Sequence, residues 1–384
     1  MLSPRIVFVS HTGAVSGAER VLVDVVKAFP NAAAFVFEEG ALAGLLRSSG
    51  LSVKVAVHGQ NLAGVRRSNS LSAAFPLLAG LARLVWELRT ETRAYDVIYA
   101  NSQKAFTLSA LSCMFTRKNL VWHLHDILSE AHFGAKQLKM QVFLANRFAK
   151  LVIVPSLAAA DAFVAAGGRA ALVKVVANGV TAVSESRSKS QLRTELSLPD
   201  GPLIGVFSRL AAWKGQDIVI RAVAQCPQVT AIIAGDALFG EQAYAAKLQQ
   251  LVRELQVESR VKFLGQRGDV QQLMRAMDIV VHPSVDAEPF GLTLVEAMLA
   301  HVPVIASDAG ASGEILENGN AGGLVAAGDV DALAAAIQNV IADAPRFAGQ
   351  LDYAQQRAET VYAVAGMQTS IRDLVQDLAP GGLS

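Results

Sequence analysis

Short apolar runs alternate with longer helical patterns along nearly the whole chain. The runs predict strands at Arg5–Val9, Val53–Val57, Val97–Ala100, Leu120–Leu124, Leu151–Val154, Val173–Val176, Leu203–Phe207, Thr230–Ala234, Val261–Leu264, Ile279–Val281, Val302–Ala306 and Gly323–Val325. Between them lie stretches such as GAERVLVDVVKAF and DVDALAAAIQNVIADA, whose apolar residues recur at helical spacing. Strands separated by helices of this length predict parallel βαβ units with right-handed crossovers.

One polar stretch, Ser184–Gly201, interrupts this alternation and divides it into two series. The chain has 384 residues, more than one hydrophobic core usually supports. We therefore predict an α/β fold of two Rossmann-like, doubly wound domains that face an interdomain cleft. The predicted parts are an N-terminal domain at 1–182, a linker at 183–200, a C-terminal domain at 201–360 and a C-terminal helix at 361–384. That final helix, roughly Tyr353 to Leu378, could lie on either domain.

Composition narrows the class of protein. Hydrophobic residues make up 52% of the chain and aromatic residues 6%, a mixture that suits helices packed on buried parallel strands. A net charge of +1 argues against nucleic-acid binding through a global positive field. Cys113 and Cys226 lack a metal or redox spacing, which favours a reducing cytoplasm. The apolar run Ile6–Val9 is too short for a signal peptide and is predicted to be a strand.

Ligands of doubly wound sheets bind beyond the carboxyl ends of the strands, so the residues just after each strand are the informative ones. In SHTGAVSGAERV, Gly13 and Gly17 precede a helix whose N-terminus favours an anion, although a flexible turn explains them equally well. In VWHLHDI, alternation puts His123 and His125 on one face. A structurally satisfied histidine is the preferred interpretation of His123, whereas His125 lies nearer the strand end and is the functional candidate.

The second series carries a possible diphosphate clamp in FSRLAAWKGQD. Arg209 and Lys214 follow a predicted strand and precede a helix. Two cations in such a loop can hold a diphosphate without a metal, whereas solvated surface charges are the alternative. The position at a strand's carboxyl end favours a binding role.

Two glutamates bracket the corner in HPSVDAEPFGLTLVEAM. Glu288 is predicted to stay in the loop, and the helix begins at Leu292 after the bend that Gly291 permits. Glu296 lies about one turn into that helix, where a carboxylate could take two vicinal hydroxyls. Stabilisation of a helix N-terminus explains one glutamate, but it explains the pair at a rigid apolar corner less well.

Two further acidic stretches have structural explanations. GDVDAL, Gly328–Leu333, could be a metal site, but it is also typical of a helix cap, which we prefer. Asp236 in IAGDALFG could equally be a turn residue or a ligand contact.

Together these stretches resemble the retaining glycosyltransferases of family 4, which have the GT-B fold. HPSVDAEPFGLTLVEAM resembles the family's E-x7-E signature, and FSRLAAWKGQD its Arg-Leu…Lys-Gly segment. SGAERV, VANGV, VKFLGQRGDVQQLM and PVIASDAGASGEIL resemble further family segments, so the likeness covers most of the chain.

The resemblance implies roles for individual residues. It implies that Arg209 and Lys214 bind the donor diphosphate, that Glu296 holds the nucleotide ribose, and that His125 contacts the sugar. Glu288, with the backbone of Phe290, Gly291 and Leu292, is implied to meet the donor sugar and phosphate, and Gly17 belongs to the glycine loop near the phosphates. The implied catalytic group is Glu288, His125, Arg209 and Lys214. No metal or cofactor is implied, because the cations and helix ends stabilise the leaving diphosphate.

The sequence departs from the family pattern at small residues near the donor. Ser16 stands where the first glycine of a pair is usual, Thr181 follows Asn-Gly-Val where Asp is common, and Ala309–Ala311 reads AGA where Gly-Gly is frequent. Each position leaves the charged donor contacts in place. The departures bear on which sugar the donor carries.

The function implied is transfer of a hexose from a UDP- or GDP-linked donor to an acceptor hydroxyl, in envelope, lipid-linked or exopolysaccharide glycan synthesis. The partners implied are a nucleotide-sugar donor and a glycan or lipid-linked acceptor, with no nucleic acid. The alternatives are a GT-B-shaped scaffold without transfer activity and a sugar-nucleotide epimerase. The intact set of charged donor residues argues against the scaffold, and the match to EPFGLTLVEAM argues against the epimerase.

Basic residues beside apolar segments suggest peripheral contact of the N-terminal domain with the inner face of a membrane. The apolar segment is Leu71–Trp86, which Pro76 and Arg83 interrupt before it reaches the length of a membrane span. The basic residues are Arg66, Arg67, Arg117, Lys118, Lys136, Lys139, Arg147 and Lys150. A solvated basic face with a buried helix is the alternative.

Overall fold

A parallel sheet forms the centre of each of two α/β units in the computed structural model of the chain. The structure describes residues 4–59, 71–182, 184–238 and 240–378, and for 71–78 the backbone alone. Unit 1 comprises Met1–Gly179 and Val364–Ser384, and unit 2 comprises Val180–Ala363.

Unit 1 contains a seven-stranded sheet of order β3-β2-β1-β4-β5-β6-β7, with every pair parallel. Its strands are β1 (Ile6–Ser10), β2 (Ala33–Val36), β3 (Ser52–Val55), β4 (Val97–Ala100), β5 (Asn119–His123), β6 (Ala149–Val154) and β7 (Val173–Val175). Its first helices are α1 (Gly17–Val26), α2 (Ala41–Ser48), α3 (Leu71–Glu91), α4 (Gln103–Ser112), α5 (Ala135–Phe148) and α6 (Leu157–Ala165). In its core the Trp122 ring stacks on Phe106 with 4.1 Å between ring centroids.

Unit 2 contains a six-stranded parallel sheet of order β10-β9-β8-β11-β12-β13. Its strands are β8 (Leu203–Phe207), β9 (Thr230–Ala234), β10 (Val261–Gly265), β11 (Ile279–His282), β12 (Val304–Ser307) and β13 (Gly323–Val325). Its helices are α7 (Lys189–Glu195), α8 (Gln216–Ala224), α9 (Gln242–Glu254), α10 (Val270–Ala276), α11 (Leu292–Leu299), α12 (Ser312–Ile315), α13 (Val330–Ala342) and α14 (Ala348–Val361). Helix α15 (Val364–Gln376) then belongs to unit 1.

The order of each sheet reverses once, between β1 and β4 in unit 1 and between β8 and β11 in unit 2. At such a reversal the crossover helices leave on opposite faces, and a crevice opens beyond the strand ends. The loops after β1, β4, β8 and β11 therefore flank the two switch points. They contain most of the residues that the sequence singled out.

The prediction of two doubly wound parallel α/β domains is confirmed, and each predicted strand is present with small shifts at its ends. Strand β2 was missed. Its sequence, AAFV, is short and rich in alanine, and its four residues are all buried beside β1 and β3. Alanine has no β preference, so tertiary pairing rather than local propensity makes this segment a strand.

The single helix predicted at the C-terminal end is instead two helices, α14 and α15. The break lies at Tyr362, whose carbonyl accepts a hydrogen bond of 2.9 Å from the Val180 N–H. A carbonyl used in this way marks the end of the helical ladder.

Helix α7 lies within the stretch that the sequence analysis assigned to a linker. Its Arg193 guanidinium donates to the Asp278 carboxylate at 2.7 Å and to the Ala276 carbonyl at 2.8 Å. These bonds attach α7 to the segment between α10 and β11.

Candidate active site

The loop after β8 brings two cations around one indole ring. The guanidinium carbon of Arg209 lies 5.2 Å from the centroid of the Trp213 ring, and the Lys214 ammonium lies 4.2 Å from it. Gln216, at the start of α8, is fully buried and donates to the Arg209 carbonyl at 2.9 Å. The cations are therefore carried by a loop with a fixed backbone. Trp213 was not among the residues predicted from the sequence to form the site.

The loop after β11 places the Glu288 carboxylate next to Lys214. The Lys214 ammonium lies 2.5 Å from Glu288 Oε1, and both side chains are buried to about the same degree, with 12% and 8% exposed. His282 Nε2 lies 2.9 Å from the same oxygen, and the Ser284 hydroxyl donates to it as well. His282 and Ser284 were not singled out from the sequence. Their positions at and just after the end of β11 were the available signal.

This surrounding of donors decides the charge of Glu288. Burial alone would raise its pKa, but the charges of His282 and Lys214 and their hydrogen bonds outweigh burial. The net result is a pKa well below the usual range, so the carboxylate is ionised at neutral pH. A buried carboxylate held in this way can accept hydrogen bonds from sugar hydroxyls.

Backbone contacts join the loops of unit 2. The Val285 N–H donates to the Trp213 carbonyl at 2.9 Å, and the Ala311 N–H donates to the Glu288 carbonyl at 3.0 Å. Gly310 has a φ of +61°, and a Cβ there would lie 2.3 Å from Glu288 N and O. This position tolerates only glycine, because the backbone of Glu288 occupies the space of a side chain.

Helix α11 begins at Leu292, as predicted. Gly291 adopts a φ of +138° at the N-cap, and Leu292 is the first helical residue. The Phe290 ring is buried and packs edge-on against Tyr362, with 5.6 Å between centroids. Phe290 therefore offers only backbone to a ligand. Glu296 is half-buried in the second turn of α11.

In unit 1 the loop after β1 leads into α1, where Gly17 is the first residue and Ser16 the N-cap. The Ser16 N–H donates to the Glu19 carboxylate at 3.1 Å. A side chain of the first helical turn therefore caps a backbone N–H at the N-terminus of α1. Ser16, which departs from the usual glycine, thus serves as a cap. Gly13 must remain glycine, because a Cβ there would lie 2.5 Å from the Glu39 carbonyl oxygen.

The two histidines at the end of β5 differ in the way the sequence suggested. His123 is fully buried, and its Nδ1 shares a hydrogen bond of 2.8 Å with the Tyr99 hydroxyl. His125 lies beyond the strand, is partly exposed, and its Nε2 bonds the Asn101 side-chain oxygen at 2.9 Å. Their rings are 3.9 Å apart, which confirms that they share a face. Burial lowers the pKa of His125 to about 3, so its imidazole is neutral.

Two further titratable groups of unit 1, Asp126 and His11, have pKa values that burial shifts. Burial raises the pKa of Asp126, although the hydrogen bond of 2.9 Å from Gln103 opposes the shift. Burial, with the nearby charge of Lys104, lowers the pKa of His11 to about 4. The imidazoles of His11 and His125, neutral at pH 7, can each donate one hydrogen bond and accept another, which suits hydroxyl-rich ligands.

Of the acidic stretches with two explanations, Asp329 is a helix cap, as preferred: its carboxylate accepts from the Ala332 N–H at 2.9 Å. Asp236 accepts from the next residue's N–H at 2.8 Å, in the manner of a turn. Within the described ranges, no group of three or more His, Cys, Asp and Glu side chains is arranged to hold a metal ion.

The residues predicted for the donor fall on the two units separately. Unit 2 contains Arg209, Lys214, Glu288, Phe290, Gly291, Leu292 and Glu296, and its contacts bring Lys214 and Glu288 together. Unit 1 contains Gly17 and His125.

The basic residues that were predicted to contact a membrane differ in their structural surroundings. Arg66 and Arg67 lie outside the described residues. Lys118 is used internally, since its ammonium donates to the Arg93 carbonyl at 2.8 Å. In α3, Leu84 is buried and Trp86 is exposed. No helix in the described part of the chain is both long and apolar enough to cross a bilayer.

Comparison with known proteins adds the following. The family model described as Glycosyltransferase Family 4 matches residues 15–182, and that described as Glycosyl transferases group 1 matches residues 188–358. The lipopolysaccharide core biosynthesis mannosyltransferase LpcC of Rhizobium leguminosarum is 39% identical over 150 residues, 38% of this chain and 42% of that protein. The D-inositol 3-phosphate glycosyltransferase of Mycobacterium marinum is 38% identical over 156 residues, 40% of this chain and 33% of that protein. These alignments span less than half of either relative.

Solved structures match over much more of their length. Anabaena HepE, crystallised with UDP and glucose, has a TM-score of 0.88 and 41% identity, with 97% of this chain and 99% of that chain covered. Sucrose-phosphate synthase from Thermosynechococcus elongatus has a TM-score of 0.80 at 20% identity, with 98% and 99% covered, a likeness in fold. Two family models that together take in most of the sequence, and the end-to-end likeness to HepE, establish that this chain belongs to family 4 of the glycosyltransferases and has the GT-B fold.

Proposed function

We propose that this chain is a retaining hexosyltransferase that uses a UDP-linked sugar and needs no metal ion. The observation that carries the proposal is the arrangement in unit 2, where Arg209 and Lys214 flank one indole ring and Lys214 meets the buried carboxylate of Glu288. The preference for UDP over GDP draws support from HepE, which is 41% identical and was crystallised with UDP-glucose.

Different residues of unit 2 are proposed to bind different parts of the nucleotide-sugar donor. Arg209 and Lys214 neutralise the diphosphate, and the first amides of α11, at Leu292, contribute the positive end of the helix dipole. Glu296 takes the ribose hydroxyls, and Glu288 accepts from hydroxyls of the sugar. Gly17 lies at the N-terminus of α1 in unit 1, where a phosphate is also favoured.

The proposed reaction uses this charge arrangement. An acceptor hydroxyl oxygen forms a bond to the anomeric carbon while the bond from that carbon to the β-phosphate oxygen breaks. The hydroxyl proton passes to the departing phosphate on the same face, which retains the anomeric configuration. Arg209 and Lys214 stabilise the charge that develops on the leaving diphosphate, the contribution that is usually largest in such sites. No side chain is assigned as a general base.

In this proposal His125 hydrogen-bonds the transferred sugar as a neutral group. Its Nε2 is bonded to Asn101, so the hydrogen bond fixes the ring orientation. The acceptor is proposed to be a glycan or a lipid-linked sugar of the cell envelope or an exopolysaccharide, on the analogy of LpcC, which is a lipopolysaccharide core mannosyltransferase.

Nucleotide binding tests the donor assignment directly. Thermal unfolding is measured with UDP, GDP and ADP, each with and without EDTA, for the wild type, for Glu296→Ala and for the exposed control Glu258→Ala. A nucleotide at 100 times its dissociation constant adds about 2.7 kcal/mol to the native state. We expect stabilisation by UDP that EDTA leaves unchanged, that Glu296→Ala abolishes and that Glu258→Ala retains.

Transfer itself is followed as release of UDP from UDP-glucose and movement of labelled glucose into membrane lipid and polysaccharide extracts. Lys214→Ala should abolish both, whereas Lys247→Ala, which changes an exposed lysine on α9, should not. Binding of UDP without transfer to any extract would favour the scaffold alternative. Conversion of the donor to another sugar nucleotide without acceptor would favour the epimerase.

We further propose peripheral contact of unit 1 with an anionic membrane, through the solvent face of α5. The Phe143 and Met140 side chains are 65% and 46% exposed there. The exposed basic residues of the same helix are Lys136, Lys139 and Arg147. Apolar side chains within a basic helix face are typical of helices that lie in a lipid headgroup layer.

A further inference from the structure

One oxygen of Glu288 is contacted by three hydrogen-bond donors, which come from two segments of unit 2. Oε1 lies 2.5 Å from Lys214 Nζ in the loop after β8 and 2.9 Å from His282 Nε2 at the end of β11. The Ser284 hydroxyl donates to this oxygen too. All three contacts are to Oε1, so none of these donors uses Oε2, which can accept from another partner.

The His282 ring is held from behind by α11. The Thr293 hydroxyl lies 3.0 Å from His282 Nδ1. That hydroxyl can donate to Nδ1 of an imidazole or accept from Nδ1–H of an imidazolium, and in both cases Nε2 carries a hydrogen that it donates to Glu288. Thr293 is the second residue of α11, so the same helix start that is proposed to meet the donor also sets the imidazole.

The three side chains that contact Glu288 differ in how firmly they are held. His282 and Ser284 are 4% and 2% exposed, and the His282 backbone is paired with Ala306 of β12. Lys214 reaches Glu288 through a flexible four-carbon stem. In the proposed reaction the Lys214 ammonium turns to the donor diphosphate, and Glu288 then loses one of its two cationic or imidazole partners. A buried carboxylate without enough donors is strongly destabilised.

We propose that His282, set by Thr293, is a positioning residue that holds Glu288 by Oε1 while Lys214 is engaged by the donor, so that Oε2 meets a hydroxyl of the donor sugar. This inference rests on the proposed function for the roles of Lys214 and Glu288. It assigns the histidine of the HPS segment a task in turnover rather than in nucleotide binding, because its contact goes to the carboxylate and not to the diphosphate loop.

The test compares variants that remove or keep the hydrogen that His282 Nε2 donates to Glu288. His282→Leu removes it, and His282→Gln offers an amide N–H at about the reach of Nε2. We expect His282→Leu to lower kcat for UDP-sugar turnover by about 10- to 100-fold, the size of the effect when a residue that orients a metal ligand is removed. KM for the donor and thermal stabilisation by UDP should change little, and His282→Gln should recover most of the lost kcat.

A second pair guards against misfolding of the leucine variant. Thr293→Val removes the hydroxyl that bonds Nδ1, and Thr293→Ser restores one. We expect Thr293→Val to have a lower kcat than the wild type with KM unchanged. Thr293→Ser should have a higher kcat than Thr293→Val. Melting temperatures of all variants are recorded without ligand.

The outcomes separate this inference from the proposed function. A wild-type chain that neither binds UDP nor turns over a UDP-sugar contradicts the proposed function. A wild-type chain that does both, with His282→Leu or Thr293→Val as active as wild type, contradicts only the role of His282. Equal losses in His282→Leu and His282→Gln that are accompanied by loss of UDP binding would overturn it as well, since they indicate a purely structural residue.

Discussion

Gly215 lies against the carbonyl of Pro283 so closely that a Cβ on Gly215 would be 2.1 Å from that oxygen. Gly215 also has a φ of +68°, which residues with side chains rarely adopt. The contact joins the loop of the two cations to the segment that leads to Glu288. The spacing between Lys214 and Glu288 therefore depends on the absence of a side chain at the residue beside Lys214.

Gly215→Ala should accordingly push the two loops apart. We expect weaker stabilisation by UDP, a lower kcat and a loss of about 1–3 kcal/mol in stability, the range for strained backbone positions. Gly349→Ala in α14 is the matched control in the same unit, since a Cβ there meets nothing within 4 Å. Full UDP affinity and turnover in Gly215→Ala would show that the loops adjust without consequence.

The Lys214–Glu288 pair should behave as a buried ion pair in unfolding experiments. Lys214→Met leaves the Glu288 carboxylate with only His282 and Ser284, and we expect a loss of about 3 kcal/mol, as for other buried pairs deprived of one partner. Glu288→Gln in the Lys214→Met background should recover part of this loss, because the buried carboxylate charge is then removed. Urea unfolding of both single variants and the double variant gives the coupling energy. Additive losses would mean that the pair is not coupled.

Acid should weaken unit 1 through its neutral histidines. The folded-state pKa values of His125 and His11 are lowered to about 3 and about 4, from an ordinary value of 6.5. The unfolded chain therefore binds more protons as the pH falls below 6.5, and stability is lost between that pH and the folded values. From pH 7 to pH 5 we expect a loss of about 1–2 kcal/mol for each histidine.

Hydrogen exchange of peptides from β4 and β5 measures this loss within unit 1. His125→Asn should reduce the dependence on pH between 7 and 5, while the difference between variant and wild type stays constant between pH 8 and 9. A variant that keeps the full pH slope would contradict the assignment to His125. Glu288 adds a separate loss at lower pH: its folded pKa is depressed, so its contribution is present above pH 4.5 and declines below it.

The α5 face predicts binding to anionic vesicles. Phe143→Ser with Met140→Ser should lower partitioning onto phosphatidylglycerol vesicles by roughly tenfold or more, from the apolar area withdrawn from the membrane. Val164→Ser is the control, since Val164 is an exposed apolar residue on another helix, α6. Vesicle sedimentation at two salt concentrations separates the contribution of the apolar side chains from that of the basic residues. Equal partitioning of the wild type and the double variant would rule out this face.

Much of the fold was readable because buried parallel strands are apolar throughout and flanked by helices with clear periodicity. Strand β2 escaped because alanine carries no strand signal. The break between α14 and α15 escaped for a different reason: it follows from a hydrogen bond between Tyr362 and Val180, which are distant in sequence. Local patterns hold no information on such a partner.

The candidate site divides in the same way. Arg209, Lys214 and Glu288 stand out because charges directly after apolar strands are conspicuous. That Lys214 contacts Glu288 could not be foreseen, since the bond joins the loops of two strands that are neighbours only in the folded sheet. His282 was not predicted because its sequence position gives a weaker signal than that of a charged residue in a loop. It is the last residue of β11, and a single buried histidine is more often structural than functional.

The chain order of the units has a consequence for biosynthesis. Unit 2 is one uninterrupted segment, whereas unit 1 is completed only by α15, whose Met367, Ile371 and Val375 are buried and whose Gln368 donates to the Asp24 carbonyl at 2.7 Å. On the ribosome, the middle of the polypeptide can therefore reach its native form before the part that was made first. Until α15 emerges from the exit tunnel, the surface of α1 that it covers stays open, and a released chain truncated before Val364 should bind chaperones through unit 1 rather than unit 2.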